Sequence, residues 1–304
     1  MSSYREYDKE TLDKLHKVEL SILDDFVKVC EKNDLTYFLI GGSLLGAVRH
    51  SGFIPWDDDI DIGMPRKDYD KFIEIGQEEL GDKYFVDCFE RNRDFYLPFV
   101  KIKLNGTVFD EEVAKNYPHH KGIFIDIFAF ENVKNTKKIG KVRAFMIKTI
   151  AESTHFRLHM RPLKNLHHPF FGLCCCLVPW RTMMRFQKKL MTWNKNDNSM
   201  YVNPLSGSYA YEKETNLRST VLPVKKIKFE GKMYNGMTDN DTYLKKIYGD
   251  NYMELPPLEK RINHLPDTII FPEEIENESK TKKRKNKWFK KVTISFSRDA
   301  RWVS

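Results

Sequence analysis

Few folds tolerate the run Trp56-Asp57-Asp58-Asp59-Ile60-Asp61-Ile62. Aspartate is a poor strand former and neighbouring carboxylates repel, yet the isoleucines predict a buried strand over 58–63. Side chains two apart on a strand share a face, so Asp59 and Asp61, with Asp57 in line, project together while Ile60 and Ile62 face the core. Such a pair suits a divalent cation, Mg²⁺ or Mn²⁺, which takes hard oxygen ligands and removes the repulsion. The competing reading is a solvated acidic loop that caps a helix or pairs with Arg49 and Lys67. Unpaired charge at the end of a buried strand is costly, which favours the cation.

The surrounding pattern supplies a partner for that chemistry. Apolar residues at Leu12, Leu15, Val18, Ile22, Leu23, Phe26 and Val29 predict a helix over 8–32. LTYFLI (35–40) reads as a strand, and Gly41-Gly42-Ser43 as a turn opening a helix whose first amides could cradle phosphate oxygens. Pro65 starts the next helix, and strands are expected within 84–111 and over GIFIDIFAF (122–130). Asp126 interrupts that last apolar run, so it either forms a buried ion pair or points at a cation, as a third ligand or a general base. Lys101 and Lys103 alternate on one strand face and are candidates for balancing phosphate charge; the alternative is ordinary exposed lysines on an edge strand. A helix over 133–156, a hairpin over 220–230 and a short helix over 239–248 complete an α/β (α+β) reading: a mixed sheet flanked by helices, with an added helical and β-hairpin region.

Charge and cysteines exclude several classes. The chain of 304 residues carries a net charge of +8, but residues 280–304 alone contribute +9, so the rest sums to −1. That is not the spread positive surface of a specific nucleic-acid-binding domain. Cys30, Cys88 and Cys174-Cys175-Cys176 are odd in number and lack framework spacing, which points to a reducing, cytoplasmic setting. The N-terminus lacks a signal-peptide core, and the longest apolar run, 169–180, is too short to span a bilayer. His167-His168 with the cysteine triplet lacks the paired spacing of a zinc site. The stretch 168–189 and the tail segment 280–291, basic with interleaved aromatics, suit peripheral contact with a membrane's inner face. One domain over 1–272, an insertion at about 160–200 and a basic tail over 273–304 are expected.

The run GGSLLGAVRHSGFIPWDDDIDIGMPRKDYDKF (41–72) resembles the signature of the LicD family, phosphotransferases of the nucleotidyltransferase superfold that includes the fukutin-type proteins. GIFIDIF (122–128) and a C-terminal set, KFEG (228–231), YLKKIYGD (243–250), LPP (255–257), Arg261 and His264, are similar in type and order. The resemblance implies a nucleotidyltransferase-like mixed sheet and transfer of a phospho-alcohol, typically phosphocholine from CDP-choline, to a cell-surface glycan such as teichoic acid, lipopolysaccharide or capsule. It implies Asp59, Asp61 and Asp126 as metal ligands and catalytic acids, Gly41, Gly42 and Ser43 as the nucleotide-phosphate turn, and Arg49 and His50 as part of the substrate-binding segment. The family often has proline where this chain has Ala129-Phe130-Glu131. Other phospho-alcohols (ribitol or glycerol phosphate), a nucleotidyl group, or a catalytically silent assembly role are the alternatives. A choline head would favour an aromatic cage, for which Trp56, Tyr96 and Phe99 are candidates.

Overall fold

The computed structural model describes residues 7–111, 114, 117–134, 137–160, 177–258, 261, 263 and 266–272. Helix α1 (Lys9–Lys32) starts where the Asp8 side chain accepts from the Thr11 amide, and it buries Leu12, Leu15, Ile22, Leu23, Phe26 and Val29. A two-residue strand β1 (Phe38–Leu39) leads into α2 (Gly41–His50). Strand β2 (Asp61–Pro65) and helix α3 (Arg66–Leu80) follow, with Pro65 at the helix N-cap. Next come β3 (Tyr84–Asp87), β4 (Val100–Leu104), β5 (Val108–Asp110) and the ten-residue β6 (Phe124–Val133).

The main sheet runs β1-β2-β6-β4-β3, with β2 parallel to β6 and the other pairs antiparallel. Its core is continuous from α1 through Phe38, Ile62, Ile102, Ile125 and Phe130. Fully burying side chains of this kind contributes roughly 1.5–3 kcal/mol each, which is what holds the charged residues described below in place. The second half contains α4 (Lys137–Arg157), α5 (Trp180–Met191), β7 (Tyr201–Asn203), α6 (Tyr211–Glu214), β8 (Asn216–Leu217), α7 (Arg218–Val221), the hairpin β9 (Lys225–Phe229) and β10 (Lys232–Gly236), α8 (Asn240–Tyr248), and β11 (Thr268–Ile270) on β5.

Several expectations shift. The expected strand over 58–63 begins only at Asp61, although the ladder reaches one residue further back, where the Asp126 amide donates to the Ile60 carbonyl. The expected strand over 35–40 is regular only at 38–39. Strand β6 continues past residue 130, because Ala129-Phe130-Glu131 keeps the backbone donors that proline would remove. Its end pairs with β7, and buried Glu131 is held bidentately by Arg66. The stretch 160–200, expected as an insertion, contains α5, which buries Met184, Gln187, Leu190 and Met191. Strand β4 lies inside the sheet, so Lys101 and Lys103 are not the exposed edge lysines of the alternative reading: both are buried. The cysteine triplet, His167-His168 and the 280–291 tail lie outside the described residues.

Candidate active site

Register builds a row of charge across four strands. Asp61 on β2 stands opposite Asp126 on β6, Asp126 opposite Lys101 on β4, and Lys101 opposite Asp87 on β3. Directly opposed residues project to the same face of a sheet, so these four side chains form one line. Lys101 Nζ lies 3.1 and 3.2 Å from the two Asp126 carboxylate oxygens and 3.7 Å from Glu111, with its ammonium over the Phe124 ring. Lys103 donates to Asp87 at 2.7 Å and to the His120 carbonyl at 2.8 Å. Lys101 in the row and Lys103 beside it are thus engaged by Asp126, Glu111 and Asp87, and negative charge grows toward β2.

Burial pushes the Asp126 carboxyl up to about 6; Lys101 opposes that shift, and Glu111 and Asp59 add to it. Asp59, on the segment just before β2, therefore acts on the same carboxylate that Asp61 faces across the sheet. Carboxylate oxygens of Asp57, Asp58 and Asp59 also fall within 4.8 Å of one another. Asp58 is buried and accepts from the Tyr7 hydroxyl at 2.7 Å, and His16 Nε2 lies 2.8 Å from the Asp57 carbonyl, so α1 braces the turn. Asp57, Asp59, Asp61 and Asp126 supply hard oxygens, drawn from two segments, at a place where concentrated negative charge is costly. Hard carboxylate oxygens are the donors a divalent ion takes, and the group whose oxygens lie mutually close is Asp57, Asp58 and Asp59.

The glycine turn closes on these acids. Gly41 adopts φ +54°, a left-handed conformation that favours glycine, and a Cβ there would lie 3.0 Å from Asp61 Oδ2. At Gly42 a Cβ would lie 2.6 Å from Asp57 Oδ2. The Ser43 hydroxyl is buried and accepts from the Asp61 amide at 2.8 Å, which fixes the start of β2 beside the start of α2. The amides of Gly42 and Ser43 belong to the first helical turn, which has no intrahelical acceptors for them.

The other sequence candidates divide. Arg49 donates to the carbonyls of Tyr252 and Glu254, at 3.0 and 3.1 Å, and to His50 Nε2 at 2.9 Å, so it fastens α2 to the chain beyond α8. The His50 imidazole is kept below its ordinary value by burial and by Arg49. Trp56 lies under the Arg261 guanidinium at 4.0 Å and lines a cavity of about 370 Å³ with Tyr7, His16 and Phe53. Tyr96 packs against Tyr117, His119 and His155, and Phe99 packs on Phe128 with the Lys101 ammonium 5.9 Å from its ring.

Sequence reasoning passed over several residues here. Glu111 shares Lys101. Tyr243 receives the Gly41 amide on its hydroxyl at 3.4 Å, and Tyr209 stands edge-to-face with Tyr248. Behind Tyr209, the buried Glu214 carboxylate accepts from the Tyr209 amide at 3.2 Å. Tyr243 and Tyr248 belong to the YLKKIYGD block, so a signal for them existed without a role attached. Glu230 of KFEG likewise accepts from the Phe53 amide at 3.0 Å and holds the turn before Trp56.

Burial drives Glu214 from an ordinary 4.5 up to about 8. The folded state therefore keeps a proton that the unfolded chain loses, and stability present below pH 4.5 declines as pH rises through about 8. The decline is on the order of a few kcal/mol. Unfolding midpoints between pH 5 and 9 are expected to fall less steeply in Glu214→Gln than in the natural chain. Equal slopes would show that Glu214 ionises as freely folded as unfolded.

Comparison with known proteins shows what the chain is similar to. Residues 34–171 match the family model described as LicD/FKTN/FKRP, nucleotidyltransferase domain. The chain is 29% identical, over 276 residues, to the lipopolysaccharide cholinephosphotransferase LicD of Haemophilus influenzae, covering 86% of this chain and 99% of that protein. It is 47% identical over 107 residues to an uncharacterised protein of Rickettsia prowazekii, covering 33% of this chain and 40% of the other. A 55-residue segment, 18% of this chain, is 44% identical to human ribitol 5-phosphate transferase FKRP, of which it covers 11%.

Proposed function

We propose that the chain is a LicD-type phosphotransferase that transfers phosphocholine from CDP-choline to a hydroxyl of a cell-surface glycan, with a divalent ion, Mg²⁺ or Mn²⁺, at the acid cluster. The observation that carries this reading is the register of Asp61 against Asp126, with Asp59 acting on the same carboxylate and the Gly41–Ser43 turn closing over the group. The choice of choline follows the Haemophilus influenzae relative, which this chain covers almost end to end.

Asp57, Asp59, Asp61 and Asp126 would hold the ion, which supplies charge neutralisation for the phosphates when bound. The Gly42 and Ser43 amides bind diphosphate oxygens, a use of helix starts that needs no side chain. Lys101 sets the charge around Asp126 from behind. With its carboxyl raised by burial, Asp126 is suited to take the proton from the attacking hydroxyl. The acceptor oxygen bonds to the phosphorus of the phosphocholine group as the bond to the CMP oxygen breaks, and CMP leaves with the pair. No protein nucleophile is needed.

Transfer of ribitol phosphate is the second reading, favoured by the FKRP-like segment. CMP release from CDP-choline and CDP-ribitol, with and without glycan acceptor, separates the two. Faster turnover of CDP-choline supports the first reading, and turnover of CDP-ribitol alone replaces it.

A further inference from the structure

Helices α4 and α5 form an antiparallel pair far along the chain from the acid cluster. Arg157 near the end of α4 donates to the Val178 carbonyl, Gln187 donates to the Ile147 carbonyl at 3.0 Å, and Arg143 donates to the Met191 carbonyl at 2.7 Å. The inward side of α5 buries Met184, Gln187, Leu190 and Met191, of which Leu190 and Met191 pack into a small core with Val133, Ile147 and Ile150. Its outward side is therefore held rigidly, and its composition is unusual for a surface that meets only water.

From Leu177 to Lys195 there is no acidic residue and there are five basic ones. Arg181 and Lys188 are taken up by Asp94 and Glu90. Arg185 and Lys189 point outward between large apolar side chains: Leu177 is 86% exposed, Trp193 68% and Phe186 42%. Arg185 and Lys189 are four apart on the helix and Phe186 adjoins them on the same exposed side, so charge and aromatic ring share a face.

We propose that this outer face of α5, with Leu177 before it and Trp193 after it, rests on an anionic lipid bilayer as a peripheral contact. The charge is complementary to anionic headgroups, and Phe186, Leu177 and Trp193 have the size and polarity of side chains that insert at the headgroup boundary. A nucleic acid would match the charge but not the exposed aliphatic and aromatic surface. Among the described residues no helix is long and apolar enough to cross a membrane, so the contact lies along the surface.

The test is partition of the full chain onto phosphatidylcholine vesicles with and without phosphatidylglycerol, at physiological salt. The natural chain is expected to bind the anionic vesicles at least about tenfold more strongly than neutral ones, and Arg185→Glu with Lys189→Glu to remove that preference. Phe186→Glu with Trp193→Glu is expected to weaken binding to the anionic vesicles by at least about tenfold. Exposed positions tolerate substitution, so unfolding temperatures should match the natural chain; if the aromatic pair fails to fold, the Arg185 and Lys189 pair decides. Partition within about twofold of the natural chain in both pairs would overturn the proposal and assign lipid binding to the 280–291 tail. Tighter binding to a short RNA duplex than to the vesicles would overturn it as well.

Discussion

Asp61→Asn is expected to lower CMP release from CDP-choline by at least about three orders of magnitude, since cation stabilisation of a transferring phosphoryl group supplies several kcal/mol. The fold should survive, because Asp61 holds its place through its backbone. Its amide donates to Ser43 Oγ and its Cα keeps register with Asp126, and asparagine preserves both. Asp59→Ala is expected to fall by a similar factor. A loss smaller than about tenfold in Asp61→Asn, in folded protein, would remove the carboxylate from the reaction.

Lys101→Met should have the largest effect on stability. The ammonium is buried between Asp126 and Glu111, and its loss leaves two carboxyls facing each other without it. Breaking a buried pair in this way typically costs about 3 kcal/mol or more. The unfolding temperature should therefore drop on the order of 10 °C. Adding Mg²⁺ or Mn²⁺ should recover part of the drop, because a cation bound to the native state alone stabilises it by mass action. An unchanged unfolding temperature would show that Lys101 does not hold Asp126 in the folded protein.

Much of this site could be read in the sequence because its parts are local. The helix over 8–32, the glycine turn opening α2 and the proline opening α3 are each written in consecutive residues. The paired burial of Ile60 and Ile62 follows from alternation alone. What the sequence withheld is register. Nothing in GIFIDIF states which residue of β2 it will face, and the ion pair of Asp126 with Lys101 exists only because β4 enters the sheet between β6 and β3. The same is true of Lys103, whose exchange of charge with Asp87 closes a diagonal between neighbouring strands. An aromatic cage from Trp56, Tyr96 and Phe99 needs rings from two segments forty residues apart, and no local pattern states whether they meet. Tyr209 and Glu214 lacked a local signal altogether: the carboxyl is buried by the fold of the 207–214 turn, not by any periodic pattern around it. Helix α5 does carry a helical pattern, with Met184, Gln187, Leu190 and Met191 on one side, but it is short and follows a stretch rich in Pro, His and Cys that has no period.

In the proposed function, acids from two separate segments share one cation. Titration of Mn²⁺ into the chelator-treated chain, followed by its electron paramagnetic resonance signal, reads this without reference to any donor or acceptor. One ion per chain is expected, with binding weakened by at least about tenfold both in Asp61→Asn and in Asp126→Asn. Binding that is lost in Asp61→Asn and unchanged in Asp126→Asn would contradict the account, because the ion would then belong to the β2 segment alone.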